Sequence, residues 1–248
     1  MKNVRDYCRS LHNNPPRKLL DKYNILQINP DNKLIYQNVF PCFFTGNIKK
    51  KNSIMTISLN PKFDGHTKHS QCGNFNAWFD YCINRFDKYE TEGEVHRVFK
   101  NLLKIFYSDQ ELKRSSKRQL LQENLVNIDW CYYYSKRFRT FKKKFFNDNG
   151  LIELYEKFND NLDYFVKLIK PQCIFIHGKS FDDVASEIIT DMKNHGKKFK
   201  HGKRTYELKY GFYKKTQIPI FYQTLFINSA NKNINLEDIR LFIAKKLK

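Results

Sequence analysis

The residues of this chain best suited to chemistry are side-chain amides that follow short apolar runs. Asn60 lies just after Ser53–Leu59 (SIMTISL), within Ser58–Gly65 (SLNPKFDG), and Asn127 lies within Leu125–Trp130 (LVNIDW). A carboxamide carries both donor and acceptor, so it can orient a water or read the edge of a heterocycle, yet it does not titrate near neutrality. Asn60 is therefore expected to act by geometry, with Asp64 and His66 the nearest titratable groups in sequence for accepting a proton. Taken alone, Asn-Pro after a strand is equally a turn with a capping side chain. Two more stretches stand in the same relation to apolar runs: Lys170–Ser180 (KPQCIFIHGKS), with His177 at its strand end, and Ile227–Asn233 (INSANKN), with Asn228 and Ser229. Phe63 and Phe75 are the nearest rings on which a flat ligand would stack, with Trp78 a third; such rings also build cores.

These residues need strands to bring them together, and the hydrophobic pattern predicts them. Ser53–Leu59, Asn124–Ile128, Gln172–Ile176, Arg204–Phe212 and Ile218–Phe226 read as strands, being short, apolar and rich in β-branched or aromatic residues. Helices are expected in two pieces between Phe75 and Tyr107, then over Ile152–Ile169, Ser180–Lys193 (Val184, Ile188 and Met192 on one side) and Leu236–Leu247. Pro171 stops the Ile152–Ile169 helix just before the third strand. Alternation of strand and helix implies an α/β fold, a three-layer α/β/α sandwich with a central, mainly parallel sheet whose active site gathers at the carboxyl ends of the strands. Residues 1–52 read as a helical and irregular extension packed on the core, and 53–248 as a single compact domain.

An Asn-Pro turn, an Asn, a Gly after a Pro-led strand and a Ser-containing loop, in this order and spacing, resemble the uracil-DNA glycosylase superfamily from about Ile54 to Lys248. The SLNP element looks like the water-positioning motif of the mismatch-specific and single-strand-selective branches. The resemblance implies that Asn60 positions the attacking water, that Asn127 reads the edge of a flipped base, that Phe75, or else Phe63 or Trp78, stacks on it, and that Ser229 belongs to the last motif, with Ile227 or, after a one-residue shift, Asn228 in its first place. That last motif departs from the family because it has no His, which points away from ordinary uracil and toward a modified or damaged pyrimidine. The implied activity is that of a monofunctional DNA glycosylase, needing no cofactor and leaving an abasic site; defence against phage carrying modified DNA would explain the altered last motif, with repair the other pathway open to it. The alternative is a catalytically weak DNA- or nucleotide-binding module of the same fold.

Composition agrees with a polyanionic partner. The 248 residues hold 45 Lys and Arg against 25 Asp and Glu, a net charge of +20, which attracts nucleic acid. An AT-rich coding sequence also enriches Lys, so the distribution of charge matters more than its total. Two aromatic-laced runs concentrate it: Lys136–Phe146, with Lys136, Arg137, Arg139, Lys142 and Lys143, and Lys193–Lys215, with Lys197, Lys198, Lys203 and Arg204. Both are expected to track DNA phosphates, single- or double-stranded. The six cysteines form no CxxC pair or Cys/His cluster, so no metal site is expected. No apolar run approaches the ~20 residues of a membrane-spanning helix, and Met1–Arg9 lacks a signal-peptide core. A cytoplasmic monomer with reduced thiols is the resulting expectation.

Overall fold

A computed structural model describes residues 2–16, 18–19, 40–51, 53–58, 74–89, 97–132, 149–178, 182–201, 204–214, 216–224 and 236–247. The first half of the chain contains α1 (Lys2–Asn13), β1 (Phe44–Gly46), β2 (Ile54–Ser58), α2 (Phe75–Ile83), α3 (Arg97–Phe106), α4 (Asp109–Arg114) and α5 (Lys117–Asn124). The second contains β3 (Leu125–Asp129), α6 (Asn149–Ile169), β4 (Cys173–His177), α7 (Asp182–Ile188), β5 (Ile189–His201), β6 (Arg204–Tyr213), β7 (Pro219–Gln223) and α8 (Leu236–Lys246). Local chemistry sets several boundaries. Asn74 caps α2 by accepting from the Ala77 amide, and Ser108 and Glu111 form a reciprocal capping box on α4. The α6 helix ends at Ile169, where Lys170 adopts a positive φ of 49° ahead of Pro171.

The fold is α/β, with a seven-stranded mixed sheet flanked by helices, in the order β1-β3-β2-β4-β7-β6-β5. The four inner strands β3, β2, β4 and β7 are parallel, while β1 on one side and β6 and β5 on the other run antiparallel to their neighbours. Parallel strands are stable when apolar on both faces, and β3 and β4 are buried along their whole length. Side-chain alternation sends Met55, Ile57, Val126, Ile128, Ile174 and Ile176 into a cluster with α1, α2, α6 and α7. Ile54, Leu125, Cys173, Phe175 and Phe221 point the other way, into a second cluster with α3, α5 and α8.

The five expected strands form, each within a few residues of its expected ends. The helix expected over Ser180–Lys193 stops at Ile188, because Ile189 and Thr190 pair with Tyr213 and Phe212 and carry the chain into the 13-residue strand β5. Cross-strand pairing overrides the helical spacing that Met192 suggests. Residues 1–52 contribute more than helix and irregular chain: β1 is an edge strand of the same sheet, and Val4 and Cys8 of α1 enter its core.

Gly46 makes the β1 edge possible. Its φ is +107°, and a Cβ there would lie 2.5 Å from the Leu125 carbonyl oxygen and 3.0 Å from the Phe86 ring. Gly46→Ala is expected to destabilise the fold by about 1–3 kcal/mol through left-handed strain and backbone overlap. Urea unfolding checks this, and an unchanged midpoint would show that β1 is dispensable.

Candidate functional site

The four parallel strands end on one rim, and pleating collects one set of their side chains into rows. Asn127 pairs with Thr56, and Thr56 in turn with Phe175. One pleat further toward the carboxyl ends, Asp129 pairs with Ser58 and His177 with Gln223. Ile57 pairs with Ile176, so Ser58 and His177 come next in the same register. The sheet face that is apolar at Ile54, Leu125, Phe175 and Phe221 thus closes with Asp129, Ser58, His177 and Gln223 across four strands, and Asn127 and Thr56 lie just beneath. Polar groups in such a place cost free energy unless they are hydrogen-bonded or used for binding.

Asn127 is almost fully bonded. Its Oδ1 accepts from Thr56 Oγ1 at 2.9 Å and from Ser58 Oγ at 2.8 Å. Both lone pairs of the acceptor are therefore occupied. The side chain also hydrogen-bonds the Asp129 carboxylate. An ionised carboxylate only accepts, so it draws Nδ2 toward itself and settles which way the amide is turned. Among the described residues, a single N–H then remains for a ligand. From sequence Asn127 offers donor and acceptor alike; in the fold it presents a donor.

Asp129 and Gln223 are the members of this row that motif reading missed. Burial raises the Asp129 pKa from 3.8 to about 6, outweighing hydrogen bonds from Cys42 and Asn127 and the Arg85 charge, so the group ionises just below neutrality. Burial alone lowers His177 from 6.5 to about 4, which keeps its imidazole neutral at physiological pH. The Gln223 side chain is wholly buried, and among the described residues neither Oε1 nor Nε2 has a hydrogen-bond partner. A signal was present in the sequence: in LVNID and IFYQ the polar residues stand two apart or at the last position, the alternation that places them on one face at a strand end.

The other expected site residues fall differently. Phe75 is buried at the start of α2, stacked near His12 and beneath the Arg9 guanidinium, in the cluster on the opposite side of the sheet from Asn127. The structure does not bring these two together, because Asn127 points away from its neighbours Val126 and Ile128, which enter the Phe75 cluster. Asn60, Phe63, Asp64, His66, Lys136, Arg137, Arg139, Lys142, Lys143, Lys203, Asn228 and Ser229 lie outside the described residues. Lys198 is exposed on β5, and the backbones of Lys197 and Arg204 belong to β5 and β6. An open polar recess of about 390 Å³, lined by Asp87, Ser116, Arg118, Gln119, Gln122 and Glu123, flanks α5. That helix leads into the amino end of β3, so the recess is away from the carboxyl rim. Among the described residues no group of three or more His, Cys, Asp or Glu gathers to hold a metal.

The two titrating groups of the row act on stability with opposite sign. The folded state holds the Asp129 proton up to about pH 6, so this group's contribution is greatest in acid and declines by about 1.4 kcal/mol per unit as pH rises from 4 to 6. His177 does the reverse, since the unfolded chain takes up its proton first, and stability falls by about 1.4 kcal/mol per unit as pH drops from 6.5 to 4. The slopes nearly cancel in the parent protein. Asp129→Asn is expected to lose stability relative to the parent on acidification through this window, and His177→Gln to gain it. Urea unfolding at pH 4.5 and 6.5 measures both, and parallel behaviour of variants and parent would show that these groups are not buried as described. No protein-family model matches the chain, and comparison with curated proteins finds no match.

Proposed function

We propose that this protein is a DNA glycosylase, built as a three-layer α/β/α sandwich of the uracil-DNA-glycosylase type, that extrudes a modified or damaged pyrimidine and hydrolyses its N-glycosidic bond. The observation that carries the reading is the remaining N–H of Asn127, held by Thr56, Ser58 and Asp129 beside the carboxyl end of β2, whose Ser58 precedes Asn60 by two residues. As a glycosidic bond breaks, negative charge develops on the departing base, and a preorganised donor facing a base oxygen stabilises it without reorganising. A donor-only amide selects a base that shows an acceptor, such as a pyrimidine carbonyl, toward β3. The unpartnered Gln223 amide supplies a further donor and acceptor along the same row. Asn60 orients the attacking water in this scheme, and Asp129 is a positioning residue for Asn127. Extrusion of the base costs a few kcal/mol, recovered through contacts of this kind and through the basic segments that hold the strand.

The test is incubation of the purified protein with oligonucleotides carrying normal, deaminated or phage-type modified bases, followed by scoring of abasic sites. Abasic product is expected with at least one modified or deaminated pyrimidine, and Asn60→Ala should lower its rate by about 10²–10³ while changing DNA affinity by less than about threefold. Absence of product with every base, alongside intact DNA binding, would leave a binding module of the same fold.

Gln223→Met is diagnostic in a second way. Removing an unsatisfied buried amide should stabilise the fold by about 1–3 kcal/mol and slow abasic-site formation. A variant that is less stable yet fully active would place Gln223 in the scaffold rather than the site.

A further inference from the structure

We infer that the β5–β6 ribbon is the arm that holds a nucleic-acid backbone over the carboxyl rim. The inference rests on nucleic acid being the substrate, and its starting point is the register. β6 pairs with β7 from Leu208, opposite Gln223, to Phe212, opposite Pro219. One further residue is tied, because the Thr224 amide donates to the Glu207 carbonyl at 3.0 Å and Thr224 Oγ1 accepts from the Glu207 amide at 2.9 Å. Beyond that point, among the described residues, Arg204, Thr205 and Tyr206 pair with His201, Lys200 and Phe199 of β5 and with no residue of β7. Gln223 is the carboxyl end of β7 and β6 runs antiparallel to it, so this two-stranded portion extends past the sheet in the direction in which β2, β3, β4 and β7 all point. At about 3.3 Å per residue it projects roughly 10 Å beyond the row containing Asp129, His177 and Gln223.

The charge of the ribbon suits a polyanion. Lys193, Lys197, Lys198, Lys200, Lys203 and Arg204 are cationic, and there is no acid from Met192 to Tyr206. Lysines commonly guard an exposed edge strand against pairing with another chain, and that purpose would distribute them along the part of β5 that borders the sheet. Here Lys193 stands opposite Tyr210, which also pairs with β7, whereas Lys198, Lys200 and Arg204 stand opposite or beyond Glu207, where the sheet ends. An isolated two-stranded ribbon is marginally stable, and like charges repel along it. Phosphates laid against it remove that repulsion and release counterions. A two-stranded ribbon also fits the major groove of a duplex. Nucleic acid is favoured over an anionic membrane because the ribbon extends from the strand ends that carry a row of hydrogen-bonding groups.

The experiment is fluorescence anisotropy with labelled single- and double-stranded oligonucleotides over a range of salt concentrations. It compares the parent, the neutralised variant Lys198→Gln/Lys200→Gln/Arg204→Gln, and a control, Lys113→Gln/Arg114→Gln, on α4. Circular dichroism verifies that each is folded. The ribbon variant is expected to bind at least about tenfold more weakly, with the slope of log affinity against log salt reduced by about two to three, and the control to match the parent. Equal binding by ribbon variant and parent overturns the inference, as does retention on phosphatidylserine vesicles by a parent protein that ignores DNA. Binding is read without turnover. Ribbon-dependent binding with no abasic product would therefore sink the glycosylase and keep the arm, while product formation with ribbon-independent binding would sink the arm alone.

Discussion

The parallel pairing of β2 with β3 is the constraint on which the rest depends. It sets Thr56 and Ser58 against Asn127 in one register, and their hydroxyls converge on a single carbonyl oxygen. A slip of one residue would turn the Asn127 amide into the apolar cluster that receives Val126 and Ile128, and would bring Leu125 and Asp129 with it. The energetic cost of burying an unpartnered carboxamide or carboxylate there makes that alternative unfavourable. The same hydrogen bonds that specify the register also define what the site offers to a ligand.

Around this pair, the fold sorts its interior into an apolar part and a polar margin. On the α3, α5 and α8 side, Ile54, Leu125, Cys173, Phe175 and Phe221 fill the sheet's amino and middle portion, and the carboxyl margin carries Ser58, Asp129, His177 and Gln223. Burial works on each group according to its charge: it favours the protonated carboxyl of Asp129 and the neutral imidazole of His177. Near neutrality the imidazole is therefore uncharged, while Asp129, ionising at about 6, carries the negative charge of the row. Cationic residues stand outside this row, on segments such as β5, where Lys193 and Lys198 are exposed.

Much of the scaffold was readable because its signals are local. The apolar runs SIMTISL and QCIFI bound their strands within a residue or two, and Pro171 marks the end of α6. The site was less readable, for two physical reasons. Asp129 and Gln223 acquire their significance from neighbours on other strands, Ser58 and His177, which lie 71 and 46 positions away in the chain. Phe75 has the residue type and the location in sequence of a stacking ring, yet which face of the sheet a helix covers is decided by packing: α2 lies with α1 and α6, opposite Asn127. Likewise Met192 fits a helix by spacing and joins β5 because Tyr213 and Phe212 of β6 offer strand partners nearby.

What the amino-acid sequence determined by itself is the succession of short buried strands and amphipathic helices, the placing of amides and a histidine at strand ends, and the concentration of cations in two segments. These follow from periodicity, turn chemistry and charge, which act over a few residues. What only the tertiary structure decided is the strand order, the face on which each side chain emerges, the one N–H that Asn127 retains, and the direction in which the basic ribbon extends. Those depend on long-range pairing and desolvation, which exist only once distant segments are held against one another.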